Sequence, residues 1–258
     1  MLWLASHGLM LSTERRGRLY SCGLVGPENG VNGEVRIKAT PHNARPLTAA
    51  NFFSRAQERL TFDVPPGFAD PNVVPRHDQQ DADPAVIAAI AGVRPVRLAA
   101  VLVPIIDGDE PSVLLTQRSA HLNDHAGQIS FPGGKIEASD ESPTDAAMRE
   151  AEEEIALSRR LVQPLGYLDV HMTPFGHRII PVLARVRPGF TLRFNKSEVD
   201  DAFEVPLTFL MTPENYKREA RKWNGLTVDL YAISFGDWKI WGATAAIIRN
   251  LYERVYQG

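Results

Sequence analysis

A mixed β-sheet with helices on both faces is the fold class this sequence predicts, and three observations carry the prediction. First, "RLAAVLVPII" (97–106) reads as a buried strand, and after the turn "DGDEP" the run "SVLLTQR" (112–118) reads as its antiparallel partner. Second, one acidic helix, opening at Ser142, separates these strands from further strand-like runs: "PLGYLDV", "RIIPVLARV", "FTLRF" and "LTVDLYAISF". Third, helical patterns return in "TPENYKREARK" and "GATAAIIRNLYERVY" toward the end of the chain. Strands, a central helix, more strands and late helices make the order of an α/β/α sandwich.

Each element has a local reason. Residues 1–45 are Gly-rich, lack apolar periodicity and carry the basic cluster "ERRGR", so they are expected to be a flexible extension or the product of a start site placed too far upstream. Residues 46–93 are expected to pack on the core. There "LTAANFFSRAQERL" has apolar residues at helical spacing, and a Pro- and Asp-rich connector follows. A short helix comes next, with Asp83 as N-cap, Pro84 at its first position and Gly92 as its stop. Residues 94–258 form the main domain. Within it Thr212 and Pro213 mark a helix start, and so do Ser142 and Pro143, with Asp145 in a capping-box-like position.

Composition narrows the function. A chain of 258 residues with 44% apolar content can build a sizeable core. Its net charge of −3 gives no reason to expect nucleic acid or an anionic membrane as partner. The single cysteine, Cys22, excludes an intramolecular disulfide and a Cys-based zinc site. The apolar run 98–106 is too short to span a bilayer, and "MLWLASHGLML" lacks the basic flank and cleavage site of a signal peptide. A cytoplasmic monomer or homodimer acting on a small molecule is the expectation.

The chemistry concentrates in 127–157, "GQISFPGGKIEASDESPTDAAMREAEEEIAL". At about 100° per residue, Met148, Ala151 and Ile155 form an apolar stripe, Glu150, Glu153 and Glu154 share another arc, and Glu152 points away. Like charges at this spacing repel by a few tenths of a kcal/mol per pair, so the arc is either a solvated face or the seat of a cation. The neighbouring turn favours the cation. Gly133 and Gly134 carry no side chains and let backbone approach an ion or a diphosphate. Oxygen ligands of this kind suit Mg²⁺ or Mn²⁺ bridging to a substrate phosphate.

The stretch from Gly133 to Leu157 resembles the Nudix box: Gly134 fits its first glycine, and Arg149-Glu150-Ala151-Glu152-Glu153-Glu154-Ile155-Ala156-Leu157 fits its end. Asp140 stands where the box has its first glutamate, eight residues rather than seven separate it from Arg149, and Ala156 replaces the late glycine. Choosing Glu141 instead restores that spacing but lengthens the preceding one. The upstream segment "LLTQRSAHLNDHAGQISFPGG" resembles the motif of the coenzyme A pyrophosphatase subgroup, matched at Leu114, Leu115, Thr116, Arg118, Ser119, Gly127, Phe131, Pro132, Gly133 and Gly134, with Asn123 in place of its second arginine. That subgroup's box also shares the aspartate and the extra residue.

The resemblance implies a Nudix-type sandwich and metal-dependent hydrolysis of the diphosphate of coenzyme A, or its thioesters, to 3′,5′-ADP and 4′-phosphopantetheine or its acyl derivative. It implies Glu150, Glu153 and Glu154 as metal ligands, directly or through water, with one of them a candidate base, and a Gly134 carbonyl as a further ligand. Arg149 is expected to orient a glutamate. Arg118 and Lys135 are candidates for phosphate contacts, with Ser119, Gly127, Phe131 and Gly133 lining the substrate site. Glu198, in "NKSEVDDAF", is read either as a later acid approaching the metal or as a loop residue facing solvent.

Overall fold

The computed structural model describes residues 48–79, 82–122 and 125–257, so the expectation for residues 1–45 and the departure at Asn123 lie outside the described residues. Helix α1 (Ala49–Arg59) starts where Thr48 accepts from the Asn51 N–H, and it buries Phe52, Phe53 and Ala56. In α2 (Pro84–Ala91) the Asp83 carboxylate caps the Ala85 N–H at 2.7 Å, and the helix stops at Gly92 as its sequence predicts. Both helices bury apolar faces in the same clusters as the sheet.

The sheet is built on β1 (Arg97–Ile106), β2 (Ser112–Arg118), β3 (Ile129–Ser130), β4 (Gly133–Lys135), β5 (Val162–Tyr167), β6 (His171–Met172), β7 (His177–Val186) and β8 (Val199–Pro206). Its order is β3-β2-β1-β7-β5, with β4 also paired to β1, β6 to β7 and β8 to β2. Only β1 and β7 run parallel, from Arg97↔His177 to Ile106↔Val186, so the sheet is mixed. Helix α3 (Pro143–Ile155) covers one face, where its Ala147, Ala151 and Ile155 meet Ala100 and Leu102. Helices α1 and α5 (Ala243–Leu251) share a cluster with the alternate residues Val103 and Ile105. Burial on both faces explains why β1 reads as one continuous apolar run. The predicted α/β/α sandwich is the observed one.

Two local expectations fail. The segment opening at Thr212 is a single 3-10 turn (Pro213–Asn215) followed by β9 (Tyr216–Trp223), not a helix. Strand β9 pairs with β10 (Leu226–Phe235) across Asn224 and Gly225, both at positive φ, and β11 (Trp238–Trp241) completes a three-stranded sheet. Lysine, arginine and glutamate favour helix only weakly, and a full ladder of cross-strand bonds outweighs that preference. The run "FTLRF" is extended but joins no strand ladder. Its backbone caps α3 instead, with Arg193 N–H donating to Ile155 O at 3.1 Å and Asn195 N–H to Glu154 O at 2.8 Å.

The alanine that departs from the family pattern closes α3. Ala156 has φ 55° and ψ 32°, left-handed, and its N–H donates to Glu152 O. The Cβ in that conformation costs about 1–2 kcal/mol, while glycine loses about 0.5–1 kcal/mol more backbone entropy on folding. Ala156→Gly is therefore expected to raise stability by about 0.5–1 kcal/mol, read as a higher denaturation midpoint at unchanged slope.

Candidate functional site

Ser142 starts α3 by accepting from the Asp145 N–H at 3.1 Å, with Pro143 in the first turn. The Asp145 carboxylate reaches the Glu141 N–H, one residue further back than a capping box requires. This start sets the phase of the helix. The alanine stripe faces the sheet, and Glu150 and Glu154, one turn apart, face the glycine turn that forms β4.

That turn admits them because it lacks side chains. A Cβ on Gly134 would lie 2.6 Å from the Glu150 carboxyl carbon, and a Cβ on Gly133 (φ 152°) would lie 2.5 Å from Ala100 O. The Gly133 N–H donates to Glu154 Oε2 at 3.2 Å. The chain that caps α3 then turns at Asn195, whose carbonyl accepts from the Glu198 N–H at 2.9 Å, and Ser119 N–H donates to Glu198 O at 2.8 Å. Oxygens of Glu150, Glu154 and Glu198 consequently lie within 4.8 Å of one another, which among the described residues makes the acidic cluster suited to a metal ion.

The sequence places Glu153 in this trio; the structure places Glu198 there. The Glu153 side chain is 57% exposed and accepts from Arg149 Nη1 at 3.0 Å on the outer flank of the helix. Glu152 is turned to solvent as expected, 3.4 Å from Arg159. No helical periodicity reports Glu198, because a loop far along the chain delivers it. The only signal was an acid in an "NKSE" turn.

Crowding three carboxylates has an electrostatic cost. Burial pushes the Glu154 carboxyl up to about 8, opposed by the Gly133 N–H and reinforced by Glu150. Burial also raises Glu150, against the pull of Arg149. A hard divalent cation would relieve this repulsion and satisfy the oxygens, so the donor set fits an ion of that kind.

Arg149 is fixed by a network. Its Nε and Nη2 donate to both oxygens of Asp140, at 2.9 and 3.0 Å, while Nη1 reaches Glu150 and Nη2 the Lys135 carbonyl. Asp140 is thus the acid that engages the helix arginine; its side chain is 2% exposed, and the Arg149 guanidinium holds its carboxyl below the usual range. Glu141 contributes a backbone N–H to Asp145. Asp140→Ala is expected to lower kcat about 10- to 100-fold by freeing Arg149 from Glu150, with Glu141→Ala within about twofold of wild type, measured side by side.

The remaining predicted residues divide. Arg118 ends β2 beside Glu154, and its Nε is buried without a hydrogen-bond partner among the described residues. Lys135 ends β4 with an exposed side chain. Ser119 and Phe131 are buried at 0% and 3% exposure, so they support the site from below instead of presenting side chains to it. Gly127 (φ 68°) closes the loop after Arg118 through its N–H to Arg118 O.

Comparison with known proteins identifies the family. The NUDIX domain model matches residues 96–225. The chain is 40% identical over 157 residues to the "Uncharacterized Nudix hydrolase NudL" of Yersinia enterocolitica, covering 61% of this chain and 80% of that one. It is 39% identical over 159 residues to the protein of the same name from Yersinia pestis, covering 62% and 80%. A solved NUDIX hydrolase from Alicyclobacillus acidocaldarius is similar at 19% identity and TM-score 0.39 over 62% of this chain and 92% of that one. With a domain match over half its length and relatives covered to 80%, the chain belongs to the Nudix family and is a pyrophosphohydrolase.

Proposed function

We propose that this enzyme hydrolyses the diphosphate of coenzyme A, or of its acyl thioesters, to 3′,5′-ADP and 4′-phosphopantetheine or the acyl derivative. One observation supports the reading: the segment 114–134 that resembles the coenzyme A motif bonds the Glu154 carboxylate through Gly133 N–H and the main-chain carbonyl of Glu198 through Ser119 N–H.

In this reading Glu150, Glu154 and Glu198 would hold Mg²⁺ or Mn²⁺, with the Gly134 carbonyl as a further candidate ligand. The ion would supply charge neutralisation at the diphosphate and a water made more acidic. Arg118 presents its guanidinium to a phosphate oxygen, and Lys135 offers a point charge at the rim. Glu153, paired with Arg149, stands one position outside the trio and would serve either as a water-mediated holder of the ion or as the general base. Arg149, clamped by Asp140, orients Glu150.

The test is product analysis. Incubated with Mg²⁺ or Mn²⁺, the full chain is expected to release 3′,5′-ADP from coenzyme A faster than it cleaves nucleotide sugars or oxidised nucleoside triphosphates, and a chelator is expected to abolish turnover. Preference for one of those other diphosphates would move the substrate assignment elsewhere in the family, and coenzyme A binding without product would make the chain a binding module.

A further inference from the structure

The sheet face that carries α1 and α5 is closed along only part of its length. On β1 the alternate residues Val103 and Ile105 are fully buried, and so is Leu183 on β7. Earlier on the same face Ala99, Val101 and Ile179 stay partly exposed, although both strands are central in the sheet. A sheet buries its apolar face against another layer, so this end leaves a small apolar floor open.

Basic groups and one aromatic ring border the floor. Arg97 lies opposite His177 in the β1–β7 register, and alternation puts both on the face of Ala99 and Ile179. Arg97 Nη1 donates to the Phe175 carbonyl at 3.2 Å, and its guanidinium makes no ion pair among the described residues. Lys135, opposite Ala99 on β4, adds a second cation next to the Gly134 turn. Burial lowers the His177 imidazole below its usual range; Arg97 and His125 push it the same way, and no carboxylate among the described residues opposes them. The His125 ring meets that of Phe175 edge to face, with 6.0 Å between centroids, and Phe175 is 59% exposed. An open phenyl ring beside a guanidinium and two imidazoles suits a planar base joined to a phosphate. The ring offers a stacking surface, and the cation and imidazole N–H groups match phosphate oxygens.

We propose that this open end of the sheet is a nucleoside phosphate site, with the base stacked on Phe175 and the phosphate held by Arg97 and His177. The probe is adenosine 5′-monophosphate, titrated into the full chain by calorimetry with a chelator present, so that no metal-bridged binding at the carboxylate cluster contributes. It is expected to bind one to one and at least about tenfold more tightly than adenosine, which leaves Arg97 unmatched. Phe175→Ala is expected to weaken binding about 5- to 50-fold, and Arg97→Gln to bring the affinity close to that of adenosine. Both side chains are exposed, so the variants are expected to keep native circular dichroism and melting temperature. Phe62→Ala, which removes another exposed aromatic ring, and Arg118→Gln, beside the carboxylates, are expected to leave the affinity unchanged. Absence of saturable binding, equal affinity for adenosine and its monophosphate, or an affinity that survives both Phe175→Ala and Arg97→Gln would overturn the proposal. Loss of binding in Arg118→Gln alone would overturn it too, by placing the nucleotide at the carboxylate cluster. Because the readout is metal-free binding, the result stands whether or not coenzyme A is hydrolysed.

Discussion

Glu154→Gln is expected to lower kcat by roughly 10²–10³-fold or more while leaving the fold intact. The amide oxygen can still accept from the Gly133 N–H, which now meets Glu154 Oε2 at 3.2 Å, so the turn keeps its partner. What disappears is the carboxyl that must ionise to hold a cation, buried in a cluster whose oxygens lie within 4.8 Å. Removing it relieves repulsion, so stability is expected to hold or rise, and divalent-metal affinity to fall. Kinetics, calorimetric Mn²⁺ titration and a thermal melt separate these effects. Glu150→Gln and Glu198→Gln should follow the same pattern. Glu153→Gln tests the remaining role: a large loss of kcat with metal affinity retained marks it as the base. Near-wild-type rates in both Glu153→Gln and Glu154→Gln would sink the metal assignment.

Gly134→Ala is expected to abolish most activity without unfolding the protein, whereas Gly133→Ala is expected to destabilise it. At Gly134 the three atoms nearest the new Cβ all belong to the Glu150 carboxylate, at 2.6–2.7 Å, the end of a side chain that can swing away. Its displacement breaks the carboxylate cluster, and kcat is expected to fall by about 10²-fold at nearly unchanged melting temperature. At Gly133 the Cβ meets Ala100 O and Val101 Cα, both at 2.5 Å, and φ is 152°. Backbone cannot yield as a side chain does, so a loss of roughly 3 kcal/mol is expected from clash and strain together. If Gly134→Ala retained full turnover, Glu150 would not be held against this turn during catalysis.

The elements that could be read from sequence are those decided within a few residues. Asp83 before Pro84, and Ser142 before Pro143, cap helices because the cap and the N–H it satisfies are two or three positions apart. Strand β1 announced itself by the unbroken apolar run 98–106, and β2 by Val113–Leu115 directly after a turn. Where the reading failed, a longer-range interaction competed. In 212–222 the Thr212–Pro213 start signal suggested helix, yet the Asn224–Gly225 pair was a hairpin signal already present in the sequence. In "FTLRF" the alternation was real, with Phe190, Leu192 and Phe194 packed against the core, but the backbone bonds went to the end of α3.

By itself the sequence determined the layer order, the start and phase of the acidic helix, and the glycine turn that faces its carboxylates, since each follows from capping, periodicity or missing side chains along one short segment. Tertiary structure alone decided that Glu198 completes the cluster while Glu153 stands outside, and that Asp140 clamps Arg149 while Glu141 does not. Helical spacing gives Glu153 and Glu154 nearly the same direction. The packing of α3 on the sheet, and the loop bonded to its last carbonyls, determine which acid is buried and what meets it.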